Sequence, residues 1–179
     1  MTTQAEEFRR VHSYLQTQGE RYTFSELWSR LIRARITVMD AVEGVTQEQA
    51  EFRFDPDEWS ISEVLHHVLT SSGRVAETIE ALSRGESINP GRIDPPREET
   101  SETIDELTRR LREDSIAWTA LTQRLPASPP TEPTAPHPMF GELHARAWYL
   151  FQRVHDLDHA GQIEKNKQAE DYPSSENQS

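Results

Sequence analysis

The sequence predicts an all-α fold: an up-down-down-up four-helix bundle with an additional N-terminal helix. Three observations point to it. Four long stretches repeat apolar residues at helical spacing. Three polar or proline-containing connections separate them. No segment alternates convincingly with period two, and no Asn-Gly or Asp-Gly hairpin signal occurs. At 179 residues the chain is one domain with tails.

Residues 3–18 form a short amphipathic helix with Phe8, Val11, Tyr14 and Leu15 on one side. It belongs to an N-terminal extension, 1–21, that packs outside the bundle or across the interface of a homodimer. Thr23 and Glu26 match a capping box, and the first bundle helix runs 22–43 through Phe24, Leu27, Leu31, Val38 and Val42. Gly44 stops it. Residues 45–59 read as a connection with one short turn. Ser60 and Glu63 form a second capping box, and Ile61, Val64, Leu65, Val68, Val75 and Ile79 mark the second helix over 60–84. The link 86–100 holds three prolines. Ile104, Leu107, Leu111, Trp118 and Leu121 define the third helix over 101–125. The proline-rich stretch 126–138 reads as irregular. The fourth helix runs 140–167, with Leu143, Ala147, Leu150, Val154 and Leu157 facing inward. The bundle spans 22–168, and residues 169–179 read as a disordered tail.

Composition narrows the function. Nineteen basic against thirty-one acidic residues give a net charge of −12. Nucleic acid and anionic membranes need a positive protein surface, so neither is an expected partner. With no cysteine, disulfides, zinc-thiolate sites and a cysteine nucleophile are excluded. The N-terminus MTTQAEEFRR lacks an apolar signal core. The expected location is the cytoplasm. There is no Gly-x-Ser-x-Gly elbow, Walker loop or Gly-x-Gly-x-x-Gly fingerprint.

The histidines carry the chemistry. His155 and His159 lie four apart in the fourth helix, and a helix turns about 100° per residue, so they stack on one face. Such a pair can hold one metal ion. On the second helix His67 lies at the edge of the apolar stripe, while His66 points away beside Glu63 and Glu77 and reads as solvated. His144 shares the face of His155 but sits roughly 16 Å away along the axis, too far to join it. His67 is near the start of its helix and the pair toward the end of theirs. They meet only if the second and fourth helices are antiparallel, which an up-down-down-up order provides. That order needs a long return between the second and third helices. The link 86–100, about fifteen residues, spans up to ~50 Å, against roughly 33 Å for the helix. Three histidines would leave an open position for water or substrate.

Charges fall inside the apolar sectors too. Arg35 lies at the centre of the first helix's apolar face. Asp114 lies within that of the third, and Asp158 on the inward edge of the fourth. A buried charge needs a partner, so Arg35 is expected to pair with Asp158 or Asp114, supporting the metal site if with Asp158. Trp28, Trp118 and Trp148 read as packing residues, though Trp148 shares the histidine stripe and could line a pocket.

Two stretches, Trp59-Ser-Ile-Ser-Glu-Val-Leu-His-His67 and His155-Asp-Leu-Asp-His159-Ala-Gly-Gln-Ile163, resemble the DinB/YfiT-like metalloenzyme superfamily. The approach Thr46-Gln-Glu-Gln-Ala-Glu-Phe-Arg-Phe-Asp-Pro-Asp-Glu-Trp59 resembles it as well. The likeness covers roughly residues 22–166. It implies the up-down-down-up bundle and a divalent metal, zinc or nickel, on His67, His155 and His159. It also implies thiol-dependent transferase, isomerase or hydrolase activity, with low-molecular-weight thiols such as mycothiol or bacillithiol as cosubstrates in some members. Three readings follow: transfer of a small thiol to an electrophile, metal-assisted hydrolysis, and a non-catalytic stress-response interaction module.

Overall fold

A computed structural model describes residues 3–93 and 95–174. Among these residues the elements run α1 (Gln4–Arg21), α2 (Phe24–Ala41), α3 (Gln47–Glu51), α4 (Ile61–Ser83), α5 (Ile104–Arg124), β1 (Ala135–His137), β2 (Gly141–Leu143) and α6 (Ala145–Lys167). The molecule is mostly helical, as the periodicity predicts. No helix among the described residues is long and apolar enough to cross a membrane.

Helices α1 to α5 all begin with the same device. Thr3, Thr23, Thr46, Ser60 and Thr103 each accept the N–H three residues on, and the Glu or Gln there reaches back to the cap's own N–H. Two otherwise orphaned donors are satisfied at each start. Helix α6 differs, because its cap is an imidazole: His144 Nδ1 accepts the Ala147 N–H at 3.3 Å. This corrects the expected start at Phe140. Phe140 lies in the turn of a hairpin, and β1 pairs antiparallel with β2, Ala135 opposite Leu143. The stretch 126–138 is therefore not wholly irregular. Pro136 is tolerated because both strands are edges, and Gly141 supplies a φ of 71° at the turn.

Contacts give the helix directions. Phe24 meets Tyr149 with ring centroids 5.1 Å apart near the starts of α2 and α6. Lys167 Nζ donates to the Ala41 carbonyl at their ends, so the two run the same way. Helix α4 opposes α6: Asn166, near the end of α6, donates to the carbonyl of Trp59, just before α4. Helices α4 and α5 run together, with His66 beside Glu102, Ser72 beside Asp114 and Glu80 beside Arg124. The α4–α5 link returns along α4. The Ile93 carbonyl accepts from Ser71, and Arg97 donates to the carbonyls of Pro56 and Glu58.

Helix α6 packs against α1, α2 and α4. Helix α1 crosses its start at Gly19, where a Cβ would lie 2.7 Å from His144 Cε1 and 2.9 Å from the Ala147 nitrogen. Only glycine allows that approach. After α6, Tyr172 packs edge-on against Phe52 and the Pro173 carbonyl accepts from Gln49. The expected disordered tail thus includes ordered contacts as far as Pro173, and its residues 175–179 lie outside the described residues.

The core forms two clusters. One gathers Leu27, Leu31, Ile79, Trp118 and Trp148; the other gathers Val38, Val68, Leu107, Leu111 and Ile163. Between them in sequence, on each helix, stands a member of a buried polar network. Arg35 is 0% exposed. Its Nη2 donates to Ser72 Oγ at 2.7 Å and lies 3.0 Å from Asp114 Oδ2. Its Nε lies 3.0 Å from Asp156 Oδ2. Ser72 Oγ also accepts from Trp118 Nε1 and donates to Asp114, each at 2.7 Å. The expected pairing with Asp114 is present; that with Asp158 is not. Asp158 is exposed, because two residues along a helix turn it about 200° from Asp156. Burial pushes the Asp156 carboxyl up to about 6, with the Arg35 guanidinium and the Gln152 amide pulling against it. Leu157, expected inside, is 37% exposed.

Removing one member of a buried pair strands the other. Arg35→Met should destabilise the fold by about 3–5 kcal/mol in urea titration. The double variant Arg35→Met/Asp156→Leu should recover part of that loss. If the two single effects simply add, Arg35 and Asp156 are not coupled.

Burial also raises the Glu63 carboxyl, but bonds from Arg53 and from the Ser60 N–H outweigh it and hold the group below the ordinary 4.5. A depressed folded value stabilises fully above the unfolded value, and the gain is lost as pH falls through the folded one. Glu63→Gln should therefore lower the melting temperature at pH 7 and flatten its decline below about pH 5. An unchanged acid limb would remove Glu63 from the account.

Candidate metal centre

Three imidazoles meet where α4 and α6 cross. His67 comes from the second turn of α4, while His155 and His159 stand one turn apart on α6. His67 Nε2 lies 3.1 Å from His155 Nε2, and His159 Nε2 lies 3.2 Å from the same atom. One ligand atom from each lies within 4.8 Å of both others. The antiparallel direction of α4 and α6 puts the two ends of this motif together.

The surroundings keep His67 and His155 neutral. Burial pushes His67 down to about 4, with the charges of His159 and His66 adding to it. Burial likewise drives His155 well below the ordinary range, with His159, His67, Arg35 and His137 acting in the same direction. A neutral imidazole offers a lone pair, as a metal ligand must. His159 Nδ1 lies 2.9 Å from Gln162 Oε1. That bond assigns the proton to Nδ1 and leaves Nε2 as the lone-pair nitrogen facing His155. Trp59 stands edge-on to His67 at 5.1 Å between centroids.

These groups fit a divalent ion. Tetrahedral coordination by nitrogen at ~2.0–2.1 Å sets neighbouring donors about 3.3 Å apart. The separations of 3.1 and 3.2 Å are close to that. Three imidazole donors and no thiolate suit a divalent transition metal.

The other sequence candidates fall elsewhere. His66 is half-buried rather than solvated, its Nδ1 3.3 Å from Glu102 Oε2. His12 bonds the Phe140 carbonyl, and His144 caps α6. His137 accepts two backbone N–H groups and stacks on Phe140. Arg35 bonds none of the three histidines, although its charge reaches His155. Trp148 is fully buried and donates to the Ala135 carbonyl at 3.3 Å; it is a packing residue. Asp158, next to His159 in sequence, lines an apolar cleft of about 280 Å³ that His155 also lines. Phe8 and Val11 of α1 and Phe140 of the hairpin complete its walls. The roles of Gln162 and α1 were missed from sequence. The spacing His159-x-x-Gln162 was a usable signal for the first; nothing local signals the second.

A helical scaffold with three convergent histidines defines a metal-binding class of protein. The family model of the DinB superfamily matches residues 30–163. The chain belongs to that superfamily, whose members bind metal. No curated protein and no solved structure matches it.

Protein purified without a His-tag should take up about one zinc or nickel ion per chain, read by elemental analysis. His155→Ala should abolish that uptake while keeping the helical circular dichroism. Gln162→Ala should weaken affinity by about 10- to 100-fold. Full stoichiometry in the His155 variant would defeat the ligand assignment.

Proposed function

We propose that the protein is a divalent-metal-dependent enzyme that transfers a low-molecular-weight thiol to a small electrophile. Its ligands are His67, His155 and His159, and its scaffold is an up-down-down-up four-helix bundle of α2, α4, α5 and α6. The scaffold reading is supported by the contact register: α2 with α6, α4 with α5, and the two pairs opposed. The observation that carries the chemistry is the convergence of the three Nε2 atoms, two separations being 3.1 and 3.2 Å.

Three protein ligands leave a coordination position for a reactant. A divalent ion held there would acidify a bound thiol and present it as thiolate. The chain has no cysteine, so the thiol comes from a cosubstrate. Gln162 holds the His159 ring in one tautomer. Trp59 and Phe151 pack against His67 and His155, fixing those rings and excluding water from one side. The cleft lined by His155 gives a small substrate an approach.

The test has two arms. Zinc-loaded and nickel-loaded protein is offered aromatic and aliphatic electrophiles with and without a small thiol. Thiol-dependent product formation, lost in His155→Ala, is the expected result. Turnover of esters or amides without thiol would replace this reading with metal-assisted hydrolysis. Metal-independent turnover, or none with any substrate, would overturn the enzyme reading.

A further inference from the structure

We propose that the cleft beside His155 binds a small organic cation, an ammonium group carried on an aromatic or branched hydrocarbon body. The proposal rests on the metal-centre reading only in taking the cleft as an approach to that centre.

Its walls are apolar and largely aromatic. Phe8 meets Phe140 edge-on at 5.8 Å, Phe140 meets Phe151 at 6.1 Å, and Phe151 meets His155 at 5.5 Å. A row of rings thus runs from the first helix to the candidate ligand. The volume of about 280 Å³ is at the small end for ligand pockets, so the occupant is a compact molecule.

Charge selects among compact molecules. The charged side chains lining the cleft are Glu7 and Asp158, both carboxylates. Both are exposed, and neither has an ion-pair partner among the described residues. Arg10 lines an adjoining groove with Glu7 but makes no ion pair with it. Carboxylates beside aromatic faces attract cations twice over, by charge and by the ring quadrupole. They repel anions of the same shape. A cation entering here would rest its hydrocarbon on Phe8 and Phe140 and its ammonium near Asp158 and Glu7.

Two of these groups come from α1, which precedes the family match at residue 30. That wall of the cleft therefore lies outside the residues matched to the family. Helix α1 is seated firmly enough to form a wall, because Leu15 is fully buried and Gly19 lets it touch the start of α6.

The experiment compares three probes of similar shape: 2-phenylethylammonium, 2-phenylethanol and 3-phenylpropanoate. Binding is read by calorimetry and by ligand-detected NMR, on zinc-loaded and on chelator-treated protein. The ammonium should bind about fivefold or more tighter than the alcohol, and the carboxylate weakest. The preference should shrink in high salt. In Glu7→Gln/Asp158→Asn, two exposed positions where folding is not at stake, the preference should vanish while alcohol binding stays. Phe8→Ala and the more exposed Met139→Ala should weaken all three probes. Equal affinity for the three, a preference surviving the double variant, insensitivity to both wall variants, or no binding at all overturns the proposal. Failure of zinc uptake would count against the metal reading alone, because the cation preference is also read without metal.

Discussion

One buried guanidinium sets the terms for the rest of this molecule. Arg35 is fully enclosed, and everything that makes it tolerable comes from other helices: Ser72 from α4, Asp114 from α5, Asp156 from α6. A charge moved out of water costs several kcal/mol unless paired and bonded. The arrangement seen brings all three partners to one guanidinium. Ser72 is the junction, since its hydroxyl accepts from Arg35 and Trp118 and donates to Asp114. A shift of one helix would disturb the close-packed apolar clusters and also strand buried polar groups, so the network adds to what holds the register.

The histidine cluster inherits that register. Asp156 is the residue after His155, so the contact that holds α6 to Arg35 also sets the rotation of the helix carrying His155 and His159. Four residues along α4, the His67 stripe continues to Ser71, whose hydroxyl bonds the returning link at Ile93. The candidate ligands are thus held from both helices by groups that are not ligands. Loop-built sites rarely achieve such tolerance, and metal coordination demands it.

Much of this was legible from residues alone. The capping boxes at Thr23 and Ser60 are local patterns with a local cause, and α2 and α4 start there. The histidine trio was legible because helix geometry fixes which residues share a face. The face of α6 was not. Its buried side includes Gln152, His155, Asp156 and Asn166, so hydropathy points the helix toward Val154 and Leu157, and toward Asp158 where Asp156 pairs. Polar residues buried for a purpose hide the stripe that contains them. The hairpin escaped for another reason: three-residue strands are too short to show period two. The contribution of α1 to the cleft depends on tertiary docking at Gly19, for which no local pattern exists.

The position of α6 in the chain bears on how the molecule comes into being. It is synthesised after α1, α2 and α4, yet it contacts all three. Until it arrives, Arg35 lacks Asp156, His67 lacks both candidate co-ligands, and the groove that Trp148 and Tyr149 fill is open to water. A nascent chain stopped before residue 145 holds neither a closed core nor a complete set of three imidazoles. Domains of this size fold as units during synthesis, and here closure of the core and completion of the histidine cluster are one event. The trio cannot form before α6 is made, so maturation of the site is tied to synthesis of that helix.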